Sequence, residues 1–294
     1  MRGLIAISED GGRSWSQSPS PVQSDLLDVV FGDAATGWVV GHDGVILKSI
    51  DGGGHWAKVF DGRIAAQTLP TTYKRRIEGG AEELKKYVEQ LTLDYKAGPS
   101  LPFLSIWARD GSEAISVGAF GLAVKTQNGG KNWEPILETF ENPEFLHLNA
   151  IREIGGDLFV AAEKGTIFGR IESSDRFVAF STGYQGSFFG VDGDKEVTIA
   201  YGLHGTLYRS LDRGVHWMAV PTSVRGTITS STNLGDGRFI LVSANGEVAL
   251  FSRDNASVRL LRNDRLGPLT GVCALPGNRL AVSGLSGIST LTLS

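Results

Sequence analysis

The sequence predicts an all-β fold, a seven-bladed β-propeller built from four-stranded blades. Two observations carry the prediction. The first is a recurring turn element. Ser8-x-Asp10-x-Gly12-x-x-Trp15 returns as Ser49, Asp51, Gly53, Trp56, as Thr126, Asn128, Gly130, Trp133, and as Ser210, Asp212, Gly214, Trp217. The second is spacing: Trp15 and Trp56 stand about 40 residues apart, and Trp133 and Trp217 about twice that, which is the period of propeller blades.

Each unit is justified strand by strand. An apolar inner strand such as Leu27-Asp28-Val29-Val30-Phe31 comes first, then Trp38-Val39-Val40. A four-residue turn follows (Gly41-His42-Asp43-Gly44, with copies at Gly118–Gly121 and Gly202–Gly205) and leads into a third strand. The turn element closes that strand, and a fourth runs out from the Trp, as in Trp56-Ala57-Lys58-Val59-Phe60. Four short strands per unit is the pattern of a blade. Eroded copies complete the count: Glu163-Lys164-Gly165 leads to Arg170, Glu172, Ser174 and Phe177, Asn245-Gly246 leads to Ser252, Asp254 and Ala256, and Gly287 leads to Thr292. Third strands begin at Gly3, Gly44, Gly121, Gly165, Gly205, Gly246 and Gly287, which makes seven blades in a single domain spanning 1–294. The first lacks its two inner strands and the last its outer one; six blades with a leftover strand is the alternative. The chain reads as starting within a module, so an export signal is expected to be missing from it.

Bulk composition narrows the function. Hydrophobic residues at 41% and charged residues at 20% describe a folded globular chain. A net charge of -4 offers no general positive field for phosphates, which excludes nucleic acid as the main partner. No apolar run is long enough to span a membrane. The lone Cys273 permits no internal disulfide and no multi-Cys metal site, and its apolar neighbours predict a buried, inert thiol.

One interruption breaks the period. Trp56 and Trp133 are separated by about 36 residues more than one unit, an insertion assigned to 62–100. Within it Ala81 to Tyr95 is expected to be helical, with Leu84, Tyr87, Val88, Leu91 and Tyr95 on one apolar face. Pro70 is expected to interrupt the preceding segment, where Tyr73, Arg75 and Arg76 mark the densest positive charge. Propeller topology puts such an insertion over the same mouth as the second-to-third-strand turns. The candidate partner-binding residues are therefore His42, Asp43, Tyr73, Arg75, Arg76, Leu84, Tyr87, Leu91, Phe120, Glu163, Lys164, His204 and Asn245. The competing reading is that the apolar stripe simply packs the helix down.

The recurring turn element reads as structural. Its Asp or Asn can accept backbone amides, its glycine can take positive φ, and its Trp can be buried between strands. One carboxylate per element is too few for calcium. Of the five histidines, His55 and His216 sit beside the element's Trp as exposed turn residues, and His42 and His204 lie three blades apart. No metal, cofactor or catalytic residue is assigned; the sequence holds no Gly-x-Ser-x-Gly elbow and no P-loop.

The Ser/Thr-x-Asp-x-Gly-x-x-Trp element resembles the Asp-box of bacterial neuraminidase repeats. The longer stretch from Gly37-Trp38-Val39-Val40-Gly41-His42-Asp43-Gly44 to Ser49-Ile50-Asp51-Gly52-Gly53-Gly54-His55-Trp56 resembles the photosystem II stability/assembly factor family and its bacterial relatives. That resemblance implies an exported, periplasmic or lumenal propeller that acts as an assembly factor and not as an enzyme. The insertion with Gly98-Pro99 and Pro102-Phe103-Leu104 resembles a bacterial branch found beside RND-type exporters. The expected function is thus a non-catalytic scaffold for a protein partner, a membrane complex or an RND-type exporter. The alternative is a glycan-binding or sialidase-like propeller, although the Arg-Ile-Pro element of sialidases is absent; the reading leaves room for a small-molecule ligand.

Overall fold

The computed structural model describes residues 3–171, 174–262 and 266–293. They form seven antiparallel sheets, the blades of a β-propeller. Blade 1 has two strands, Ile5–Ile7 and Ser16–Ser18. Blade 2 has four (Leu26–Phe31, Gly37–Gly41, Ile46–Ser49, Ala57–Phe60), as does blade 3, which begins with Phe103–Ala108 and Ala114–Gly118. Blades 4, 5 and 6 also have four strands and begin at Leu148–Ile154, Phe188–Gly193 and Ile228–Asn233. Blade 7 has three, starting at Leu269–Leu275. The two incomplete blades stand where the repeat places them. Glu172 of the eroded fourth element lies outside the described residues.

Two compact units divide the chain: Met1–Ile7, Ser16–Ile151 and Asp175–Phe177 form unit 1, and Ser8–Trp15, Arg152–Ser174 and Val178–Ser294 form unit 2. Local chemistry explains the blades. In blade 2 the second strand, Gly37–Gly41, is buried along its whole length, as its continuous Trp38-Val39-Val40 run requires. Val29 pairs with Val39, and Val39 with Leu47, so one face of the sheet runs through these three residues. The other face holds Trp38, Val40 and Ile46, which share a core with Phe103, Ile106 and Trp133 of blade 3. Trp38 and Trp133 meet edge to face with ring centroids 5.7 Å apart. Lys48 Nζ sits 4.7 Å over the Trp38 ring and donates to the carbonyls of Gly111 and Gly129 at 2.8 and 3.0 Å.

The turn elements are clasps. Ser49 Oγ accepts from the Gly53 amide at 2.9 Å and donates to Asp51, whose carboxylate accepts from the His55 amide. The same pattern repeats with Ser8, Asp10 and Gly12, with Thr126, Asn128 and Gly130, and with Ser210, Asp212 and Gly214. Gly53 takes a φ of 95°, which a side chain would resist. Trp56 and Trp133 are buried beneath their clasps, whereas Trp15 is 39% exposed, so the first clasp covers less apolar surface. Phe177 stands where a Trp is eroded and stacks on Phe140 at 4.1 Å.

Two expectations are corrected. Cys273 is exposed, on an inner strand, Leu269–Leu275, in which every residue after Leu269 is exposed or half-buried. Pro70 does not interrupt the insertion but lies inside a helix, α1, spanning Gly62–Glu78. A short 3-10 turn, Glu82–Leu84, leads into α2, Lys85–Asp94, and Tyr95–Ala97 closes the pair in another. Proline forfeits one helical hydrogen bond. Burial of Ala65, Leu69 and Tyr73 along one face of α1 offsets that loss.

Candidate partner-binding face

The second-to-third-strand turns hold their tips in an unusual conformation. Asp43, Phe120, Lys164 and His204 all have positive φ, at 59°, 53°, 53° and 52°. Left-handed backbone disfavours a Cβ, and an aromatic residue seldom adopts it. The hairpin imposes it: Gly41 N donates to Val45 O while Val45 N donates back to His42 O, and the Phe120 and His204 turns repeat both bonds. The tips therefore project from a rigid base. His42, Asp43, Phe120, Lys164, His204 and Asn245 are exposed, and Glu163 is half-buried. The Asn245 turn is built differently. Ser243 Oγ and the amides of Arg225 and Gly226 donate to the Glu247 carboxylate, holding it below the usual range although burial pushes the other way.

In unit 1 the insertion adjoins two of these turns. α1 starts against the His42–Gly44 turn, so closely that a Cβ on Gly44 would meet Gly62 Cα at 2.9 Å. Asp61 caps α1 by accepting from the Arg63 and Ile64 amides, each at 3.0 Å. Burial raises the Asp61 pKa, but the Lys58 ammonium 2.6 Å away and these amides outweigh it and hold the carboxyl below its ordinary value. An open pocket of about 540 Å³ lies here, lined by Ser24, Asp43, Lys58, Asp61, Arg63 and Ser100 among others. Ser24 Oγ donates to Asp43 Oδ2 at 2.6 Å and fixes that tip.

At the second turn, the Phe120 amide donates to His147 Nδ1 at 2.7 Å, and the two rings lie 4.7 Å apart edge to face. Accepting at Nδ1 leaves the ring proton of neutral His147 on Nε2. Burial pushes Asp94, at the end of α2, up to about 6, while Gln90 and His147 pull it down. On α1, Tyr73 donates to Glu138 and accepts from the Leu137 amide at 2.9 Å, and Arg76 binds the other Glu138 oxygen.

These placements redistribute the roles expected from sequence. Tyr73, Leu84, Tyr87 and Leu91 are buried in the core shared by the insertion and blades 2 and 3, so the apolar stripe packs the helices down and cannot face a partner. Arg76 is spent on Glu138, whereas Arg75 is exposed and has no ion-pair partner among the described residues. His42, Asp43, Arg75 and Phe120 remain as outward groups of unit 1. Glu163, Lys164, His204 and Asn245 occupy equivalent turns of unit 2. Sequence reading missed Glu138, Asp94 and His147. Glu138 and His147 fall in the irregular stretch between blades 3 and 4, where no repeat copy flags them.

Comparison with known proteins follows this geometry. Residues 7–69 match the family model described as Photosynthesis system II assembly factor YCF48. The Photosystem II assembly protein Ycf48 of Synechococcus sp. strain JA-3-3Ab is 28% identical over 52% of this chain and 48% of its own. The repeat is similar to that of photosystem II assembly factors. A solved structure described as YCF48 bound to D1 peptide superposes with a TM-score of 0.62 at 18% identity, covering 97% of this chain and 80% of that one. The WD40 β-propeller domain of Doa1 superposes at 0.60 and 10% identity, over 100% of this chain and 88% of that one. At these identities the structural likeness speaks for the fold alone. The chain spans about half the length, or less, of the curated relatives it matches.

Proposed function

We propose that this chain is a non-catalytic propeller scaffold that docks on a protein partner within a membrane-associated complex, on the extracytoplasmic side. The observation that carries the reading is the set of rigid outward tips in unit 1. Phe120, nearly half exposed in a backbone conformation it would not choose, is the anchor, and the exposed Asp43 and Arg75 supply charge. Aromatic and Arg residues are the usual anchors of protein interfaces, and holding them on preorganised backbone lowers the cost of binding. The relatives named as photosystem II assembly proteins support an assembly role, and the solved relative bound to a D1 peptide supports a polypeptide ligand. None of the relatives cited above is named for an exporter, so the partner is proposed by its chemistry only: a protein surface with an apolar pocket and an acidic group for Arg75.

Purification of tagged protein from detergent-solubilised membranes of the native host tests the reading. Phe120→Ala and Arg75→Glu should each lose a membrane-protein partner that wild type retains, while His55→Ala, on a clasp, should keep it. Equal recovery of that partner by all four proteins would remove the docking face from consideration.

A further inference from the structure

On the unit 1 turns, one tip is tied through its backbone to a titratable side chain. The Phe120 amide donates to His147 Nδ1 at 2.7 Å, and the two rings meet edge to face with centroids 4.7 Å apart. Phe120 is 45% exposed and holds a φ of 53°. The turn's own bonds, Gly118 N to Leu122 O and Leu122 N to Ala119 O, set that backbone but leave the Phe120 amide to His147. At the Asp43 tip the device is different: Ser24 Oγ donates to the Asp43 carboxylate.

The bond to His147 exists in one charge state only. A neutral imidazole has one nitrogen that accepts, whereas an imidazolium donates from both. Protonation of Nδ1 therefore sets one N–H against another, and the ring must turn. Imidazole is the side chain whose charge changes between about pH 5 and 8. The chain around His147 does not follow its ring. Asn142 grips Leu146 twice, its Oδ1 accepting from the Leu146 amide at 2.9 Å and its Nδ2 donating to the Leu146 carbonyl at 3.0 Å. Phe145 packs edge to face on Tyr87 of α2. Movement is thereby confined to the His147 ring and the tip it releases. Two elements contribute titratable or charged groups around the ring. The end of α2 brings Asp94, which interacts electrostatically with His147, and then Tyr95 and the exposed Lys96 follow. The ring's own segment brings Glu141 and Glu144, both exposed. The Phe120 turn brings none. Burial pushes Asp94 up to about 6, so it is ionised in the upper part of the same pH range and attracts a charged ring there.

We propose that His147 is a proton-operated latch on the Phe120 tip. The neutral ring holds the Phe120 amide and steadies its aromatic ring; the charged ring lets both go. The use of the latch rests on the docking reading above: a partner anchored at Phe120 is held less firmly as pH falls from about 8 to 5. The latch itself belongs to the isolated chain and is measurable without a partner.

Amide exchange followed by NMR between about pH 5 and 8 reads the latch, with each rate divided by its intrinsic value at that pH. Protection of the wild-type Phe120 amide should fall by about tenfold toward pH 5, with the midpoint at which the His147 ring carbons titrate. The Gly130 amide, held by the Thr126 hydroxyl, should keep its protection throughout. His147→Asn retains an oxygen acceptor that carries no charge, and should protect Phe120 equally at both ends of the range. His147→Phe has no acceptor and should leave the amide unprotected at both. Retention of the wild-type circular dichroism spectrum establishes that both variants are folded. Constant Phe120 protection in the wild type, or a wild-type transition in folded His147→Asn, would overturn the latch. Because neither readout involves a partner, that failure is distinct from a failure of the docking reading, which the purification experiment decides.

Discussion

Tyr73 and Glu138, far apart in sequence, are bonded through the phenol hydroxyl, and the same oxygen accepts the Leu137 amide. Tyr73 is fully buried, and burial followed by the adjacent carboxylate drives its pKa well above the ordinary tyrosine value, so it stays a donor at every physiological pH. This bond ties the insertion to the 3-10 turn, Leu137–Thr139, that follows blade 3. Tyr73→Phe leaves the buried Leu137 amide without its acceptor, which should cost about 1–3 kcal/mol. Thermal unfolding would measure the loss, and proteolysis should cut first within 62–97. An unchanged melting temperature would show that the helices are held by packing alone.

Two carboxylates should give opposite pH signatures. Asp212 is held down to about 2, first by the His216 amide. A depressed folded value means its stabilisation is present above about pH 4 and is lost as pH falls toward 2. Burial raises Asp94 to about 6, so ionising it opposes folding, and that penalty grows as pH rises from about 4 to 6. Asp94→Asn should therefore stabilise the protein by about 1 kcal/mol at pH 8, after discounting for its partial exposure, and by nothing at pH 4. Asp212→Asn should flatten the acid limb alone. Chemical denaturation across pH 3 to 8 separates the two.

The clasps should differ in worth. Ser49 is buried and bonded to Gly53 and Asp51, with Trp56 beneath it. Ser49→Ala should cost about 1–3 kcal/mol. Ser8→Ala removes the same bonds beside an exposed Trp15 and should cost less. Equal losses in melting experiments would mean that the hydrogen bonds set the clasp's value and not the covered indole.

Gly62 seats the insertion. Its φ is ordinary, but a Cβ there would lie 2.0 Å from the Pro99 carbonyl oxygen and 2.9 Å from that of Asp43. Gly62→Ala should push α1 off the His42–Gly44 turn and destabilise by about 1–3 kcal/mol. Hydrogen exchange in 62–78 reads the effect directly, and unaltered protection would show that this close approach is dispensable.

Much of this architecture is legible in the sequence because it repeats. Each clasp needs a hydroxyl, a carboxylate or amide, a glycine and an aromatic ring at fixed offsets, so four good copies define the blade and weak copies can be aligned to them. The insertion has no second copy to check against. Pro70 looks like a break by its own chemistry, and only the tertiary burial of Leu69 and Tyr73 reveals why α1 runs through it. For the same reason the stripe of Leu84, Tyr87 and Leu91 gives amphipathicity but not what it faces. Cys273 shows the other limit, since apolar neighbours along a strand do not report whether another sheet covers it. The turn tips are exposed as hairpin ends should be, whereas His147 and Glu138 act through contacts that no spacing rule encodes.

The docking proposal is tested most directly by site-specific photocrosslinking in the native host. A benzophenone amino acid placed at Phe120, at Arg75, and at the clasp position His55 would report what each surface touches in the cell. The account predicts crosslinks from Phe120 and Arg75 to one common membrane-complex protein and none from His55. Crosslinks to that protein from His55 alone, or none from the two turn and helix positions, would contradict it.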